Sequence, residues 1–234
     1  MAVSRSSALA ASPRSEYLPE RGSRRRRFRA ARSFGLVVFA IGLILVTIVG
    51  VQLLRGTIAR ERARAEWAKL MQSSSFSVAA QLGLNRIPSG APVVRVIIPS
   101  IRLDEVVVEG LTDRDLWAGP GHMPGTVMPG ENGNAVISAH RDRHFHRLDD
   151  LRVGDVIETQ TPQMSVRWRI RERQIIQKED RAIFESQTPL LTLTTCWPTR
   201  YFGTAPDRLL VIAEPVSVKE REVVPKAVAP VVGK

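Results

Sequence analysis

Residues 190–214, LLTLTTCWPTRYFGTAPDRLLVIAE, hold the only cysteine of the chain, Cys196, between two apolar runs that both read as strands. The first, LLTLTT, is rich in Leu and Thr, and the second, LLVIAE, in β-branched and aliphatic residues. The connection, WPTRYFGTAPD, carries two prolines and a glycine, which punctuate regular structure. The pattern is strand, loop, strand. Cys196 then stands where the first strand ends and Arg208 where the second begins, so neighbouring strands bring a thiol and a guanidinium to one sheet end. A fixed positive charge favours thiolate and can stabilise an oxyanion during acyl transfer, so the pair suggests an activated cysteine. The opposing reading is an inert buried thiol, since free cysteine is among the most buried residue types.

Residues 129–155, PGENGNAVISAHRDRHFHRLDDLRVGD, supply a partner. NAVISAH reads as a buried strand running into a polar loop, with His140 at its end. A general acid or base for Cys196 belongs at such a strand end, because distance along the chain does not matter where strands meet in space. With GTVMPGENGNAVISAHRD, LTLTTCWP and APDRLLV in that order, the chain resembles the sortases, membrane-anchored cysteine transpeptidases, and among them most the class D type. The resemblance spans roughly residues 93–215. It implies an eight-stranded barrel with His140 as general acid and base, Cys196 as nucleophile and Arg208 at the oxyanion or the substrate backbone. The implied reaction is attack on a carbonyl in an LPXTG-like C-terminal sorting motif of an exported protein, followed by transfer of the acyl group to an amine of the cell envelope or of a pilus subunit. No cofactor is expected. Ala139 stands where many relatives have glycine, and the connection over residues 177–189 is short.

Ahead of these motifs the chain has a different character. Residues 1–33 contain nine Arg and two Glu, including RRRR at 24–27, without apolar periodicity, and are expected to be a disordered basic tail. Residues 34–54, FGLVVFAIGLILVTIVGVQLL, have no charged residue and only Thr47 and Gln52 as polar interruptions. At about 1.5 Å of rise per residue this run spans a hydrocarbon core of roughly 30 Å, which predicts a transmembrane helix. A cleaved signal peptide fits less well, because the run exceeds the roughly 7–15 residues of a signal core and no small-residue cleavage site follows. Nine basic residues precede the span and five lie within residues 55–69 after it, so the positive-inside rule puts the amino terminus in the cytoplasm and the remainder outside.

The formal charge of +11 invites a nucleic-acid reading, but the charge brackets the span. Nine Arg against two Glu in the tail, and five basic against two acidic residues in 55–69, leave about +1 for everything beyond. Such a distribution suits anionic lipid headgroups rather than a nucleic-acid face.

Residues 55–90 are expected to form a stalk that starts as a helix and frays at Ser73 to Ser75. Its Ala- and Arg-rich half has the alternative of packing on the domain. From residue 91 to 216 short strands follow one another, VVRVIIP, EVVVEG, NAVISAH, DVIETQ, SVRWRIRERQIIQ, LLTLTT and RLLVIAE, between Gly, Pro, Asp and Asn clusters. In SVRWRIRERQII, Val166, Trp168 and Ile170 alternate with Arg167, Arg169 and Arg171, the mark of a half-buried antiparallel strand. The fold class is therefore mainly β, a closed or nearly closed barrel with short helices behind one transmembrane helix. Residues 217–234 read as a flexible tail.

The remaining histidines and Arg200 have secondary readings. His140, His144 and His146 form H-x3-H-x-H, but the segment is dense in Arg, which repels a cation, so no metal is expected; His144 and His146 are read as exposed loop residues. His122, in GPGHMPGT, is placed in a glycine-rich loop at the cleft rim as a candidate substrate contact. Arg200, on the loop after Cys196, is a second candidate substrate contact; Arg208 is preferred for the oxyanion because a strand holds a side chain more rigidly. Two other functions fit the pattern: a membrane-tethered barrel that only binds surface proteins or envelope polymer, and a plain cysteine peptidase in which water replaces the amine.

Overall fold

The computed structural model describes residues 21–72, 87–177, 185–201 and 203–220. Eight strands close a barrel: β1 (Pro92–Ile98), β2 (Leu103–Glu109), β3 (Gly121–His122), β4 (Asn134–Ser138), β5 (Val156–Gln160), β6 (Met164–Gln177), β7 (Leu190–Trp197) and β8 (Asp207–Glu220), in the order β1-β2-β3-β4-β7-β8-β6-β5. The expected mainly β barrel is present, with one strand the sequence did not announce. β3 is two residues long, too short for any periodicity to show, and it joins β2 in parallel and β4 antiparallel.

Alternation builds the core. Val166, Trp168 and Ile170 of β6 are buried while Arg167, Arg169 and Arg171 face out, and the inward side chains meet Val94, Val96, Leu191, Leu193 and Val211 from other strands. Trp168 buries its ring completely and still satisfies its N–H, which donates to Thr159 Oγ1 at 2.8 Å. A short helix, α2 (Asp113–Ala118), fills the β2–β3 crossover and starts at a capping box between Thr112 and Asp115.

The helix α1 (Arg21–Gln72) belongs to two compact units that divide after Val51. In the first unit its apolar side chains are unburied: Phe34 is 71% exposed, which no core helix would tolerate. Its charge-free residues 34–54 extend about 31 Å at the helical rise, and among the described residues this is the one helix long and apolar enough to cross a membrane. The sequence expectation of disorder over residues 1–33 is corrected for 21–33, which are helical. Arg is a good helix former, and extending an existing helix avoids the nucleation cost. Residues 1–20 lie outside the described residues.

In the second unit, the end of α1 is not a free stalk. Ala63 and Trp67, one turn apart, are buried against Val106 and Val108 of β2 with Met71 and Ala118. Arg60 donates Nε to Glu105 Oε2 at 3.0 Å and Nη2 to Glu105 Oε1, and Arg64 lies 3.7 Å from the same carboxylate. Gly56 allows close approach, because a Cβ there would stand 2.9 Å from both the Trp117 ring and the Arg143 guanidinium. The expected fraying at Ser73 to Ser75 falls outside the described residues. The tail expected from residue 217 begins later, since β8 runs to Glu220 and pairs with Met164 there; residues 221–234 lie outside the described residues.

Burial alone would raise the Glu105 pKa and is the largest single influence, but hydrogen bonds and charges from His144 and Arg60 together hold it below the ordinary carboxylate range. A depressed carboxylate pKa stabilises the fold above the unfolded value of roughly 4.3, and that contribution is lost as pH falls through the folded value. Glu105→Ala is accordingly expected to destabilise the full chain by about 1–2 kcal/mol, the figure discounted because Arg60 remains partly solvated. Thermal unfolding in detergent micelles checks this: the gap between wild type and variant should be present at pH 7 and shrink towards pH 3.

Candidate active site

Three adjacent strands define the site. β7 and β8 pair antiparallel with Cys196 opposite Arg208, so their Cβ atoms lie about 5 Å apart on one face. β4 and β7 pair in parallel with Ser138 opposite Thr194. Extending that register by two residues brings His140 level with Cys196. The extension is held by real bonds: Ala139 N–H donates to Thr194 O at 3.2 Å, and the buried Thr195 hydroxyl donates to Ala139 O at 2.7 Å. Cys196, His140 and Arg208 are each half-buried, between core and solvent. Among the described residues no side chain forms a hydrogen bond or ion pair with the Arg208 guanidinium, which leaves its donors open.

Behind His140 the chain turns at once. Its carbonyl accepts the N–H groups of Arg143 and Phe145 at 3.3 and 3.2 Å, and Phe145 is sunk in the barrel core. Arg141 reaches across to the loop after Cys196: Nη1 donates to Pro198 O at 3.0 Å, Nη2 donates to Gly203 O, and the guanidinium lies 5.7 Å from the centre of the Tyr201 ring. One side chain thus ties the His140 turn to the Cys196 loop. Sequence reading passed over Arg141, because carbonyl partners about sixty residues away leave no local signal. If His140 is a proton-transfer group, Arg141→Ala is expected to lower kcat about tenfold or more while KM changes less, the signature of a misplaced His140 rather than a lost binding group. Steady-state kinetics on the purified full chain read that split.

His122 is not on a loop. It sits in β3, 2% exposed, with Nδ1 2.7 Å from Glu109 Oε2 and Nε2 3.0 Å from Val127 O and 3.1 Å from Thr126 Oγ1. With both ring nitrogens engaged it braces β2, β3 and the following loop, and no face is turned to a cleft. Arg200 is exposed and paired with Asp150 at 2.9 Å. The hydrogen bond from Arg147, with help from Arg200, keeps the Asp150 carboxyl below its usual range, so this loop tie weakens only in acid. The three histidines of H-x3-H-x-H do not converge: His144 Nδ1 lies 3.5 Å from Glu105, and His146 Nδ1 contacts Arg143 O at 2.8 Å. His144, expected to be exposed, has a side chain only 7% exposed. Among the described residues no three His, Cys, Asp or Glu side chains share a centre that could hold a metal.

Cysteine, histidine and arginine at adjacent strand ends of a closed mixed barrel define a class of proteins with a thiol site at one end of the barrel. Its membership is specific: the chain belongs to the sortase family, whose Sortase domain profile matches residues 96–216. Sortase D of Bacillus subtilis (strain 168) is 34% identical over 122 residues, a stretch that covers 51% of this chain and 62% of that relative. A Clostridium perfringens sortase D5 transpeptidase superposes with a TM-score of 0.60 at 26% identity, covering 68% of this chain and 99% of that one. The catalytic domain of a B. anthracis sortase, SrtD, gives 0.50 at 29% identity over 58% and 95% of the two chains. The similarity is to class D.

Proposed function

We propose that this chain is a membrane-anchored cysteine transpeptidase acting on a C-terminal sorting motif similar to LPXTG in exported proteins. The observation that carries the reading is the register: Cys196 opposite Arg208 across β7–β8, with His140 level with Cys196 across β4–β7. In the first step the Cys196 sulfur attacks the scissile carbonyl carbon. The thiol proton passes to His140 and from there to the departing amine as the C–N bond breaks, leaving a thioacyl enzyme. In the second step an amine attacks the thioester carbonyl, His140 takes the amine proton, and the Cys196 thiol leaves with a proton returned. One peptide bond is exchanged for another. Arg208 donates to the oxyanion that forms in each step, or to the backbone of the sorting peptide.

Thr194 lies two residues before Cys196 on the same face of β7, and its hydroxyl is buried without a hydrogen-bond partner among the described residues. The acceptor is assigned to the class of envelope-peptide or pilin-lysine amines. Residues 34–54 cross the membrane with the amino terminus in the cytoplasm, and residues 91–216 form the catalytic barrel outside.

The test is product analysis with the full chain in micelles, an LPXTG-like peptide panel and a simple amine. The expected product is the acyl–amine conjugate, rising with amine concentration. Free acid as the sole product at every amine concentration would mark a cysteine peptidase. No cleavage of any peptide, with Cys196 refusing thiol reagents in the folded protein, would favour a binding barrel.

A further inference from the structure

A cavity of about 530 Å³ opens in the second unit, between α1, the β1–β2 connection and the turn that follows His140. Its wall carries five arginines against two carboxylates, Asp104 and Glu105. Both carboxylates are already matched: Glu105 by Arg60, and Asp104 by Arg95 from outside the cavity. Arg102 and Arg143 have no ion-pair partner among the described residues. Arg143 is pressed 3.9 Å above the Trp117 ring, with Nη1 donating to Trp117 O at 3.3 Å; burial lowers its pKa most, the neighbouring Asp142 charge opposes this, and Arg60 adds to the lowering. His144 backs the wall: its side chain is only 7% exposed, Nδ1 is turned to Glu105, and Nε2 is closed off from solvent, without a hydrogen-bond partner among the described residues. Guanidinium groups without an ion-pair partner around a polar hollow are the complement of an oxyanion with several acceptor oxygens.

Location narrows the anion. Gly56 and Thr57 line the cavity, two and three residues beyond Leu54, where the charge-free run ends. At about 1.5 Å per residue they stand within roughly 5 Å, along the helix axis, of the last apolar residue, at headgroup depth. We propose that this cavity binds the phosphate of an anionic phospholipid headgroup, with Arg143 and Arg102 as its cations. The volume suits a headgroup, and an anion here relieves the repulsion between Arg143 and Arg60. Arg143 and His144 follow His140 by three and four residues, so occupancy also steadies the turn that carries it.

The test is retention of lipid by the full chain, which needs no turnover and so stands or falls apart from the transpeptidase reading. The chain, reconstituted with phosphatidylglycerol or phosphatidylcholine, is extracted in mild detergent and weighed by native mass spectrometry. Phosphatidylglycerol should be retained at about one per chain and phosphatidylcholine should not. Arg143→Gln should lower retention about tenfold, the loss of a charge-assisted hydrogen bond. Arg102→Asn should also lower it; Arg102 is exposed and at φ 55°, a conformation Asn tolerates, so folding is preserved. Arg62→Gln, on the same helix but outside this cavity, should leave retention unchanged. Equal retention of both lipids, or equal loss with Arg62→Gln, overturns the proposal. Displacement of the lipid by millimolar inorganic phosphate also overturns it, since the site would then be one for a soluble anion.

Discussion

Replacing Cys196 with alanine is expected to abolish peptide cleavage and transfer, by at least about 10⁴-fold, while the barrel still folds. In the proposed reaction the Cys196 sulfur forms the covalent intermediate and no water beside His140 and Arg208 replaces it, so the loss should approach that seen on removing a nucleophile from other acyl-transfer sites. Folding should survive because Cys196 is half-buried at the mouth of β7 rather than in the core. Deleting one sulfur there opens no sealed cavity. The measurement is cleavage of an LPXTG-like peptide by wild type and variant at matched concentration, with thermal unfolding alongside. Residual activity within tenfold of wild type would exclude the nucleophile.

Changing Arg208 is the second large effect. Arg208→Ala should lower kcat/KM by about 10²–10³-fold, the usual consequence of removing a preorganised oxyanion donor. Arg208→Lys should recover little of it, because a single ammonium cannot reproduce the planar fork of donors. Stability should hardly change, since among the described residues Arg208 makes no ion pair that would be broken. A purely structural arginine predicts the reverse, a fall in melting temperature with kcat/KM nearly intact. Kinetics and unfolding on the same samples separate the two.

What the sequence made legible was what local pattern encodes. The strand–loop–strand of residues 190–214 put Cys196 and Arg208 at one sheet end, and the antiparallel register places them opposite each other. The alternation in β6 is equally direct, and so is the membrane-length apolar run. What escaped reading depends on partners distant in the chain. His122 looked like a loop residue because its neighbours are Gly and Pro, but its position is fixed by Glu109, thirteen residues earlier, and by strand partners on both sides. The docking of α1, open in the sequence as an alternative to a free stalk, had a faint local trace in Ala63, Trp67 and Met71 at four-residue spacing, and it is decided by a distant partner, Glu105 on β2, which Arg60 and Arg64 approach. Arg141 left no trace, its acceptors being backbone carbonyls of another loop.

Acylation of Cys196 is the central step of the proposed reaction, and intact-mass spectrometry of the full chain during turnover tests it most directly. With an LPXTG-like peptide, no added amine and an acid quench, the expected result is a mass increase equal to the acyl fragment, localised by digestion to the peptide containing Cys196 and discharged on adding amine. Turnover with no adduct on Cys196, or an adduct that amine fails to discharge, would contradict it.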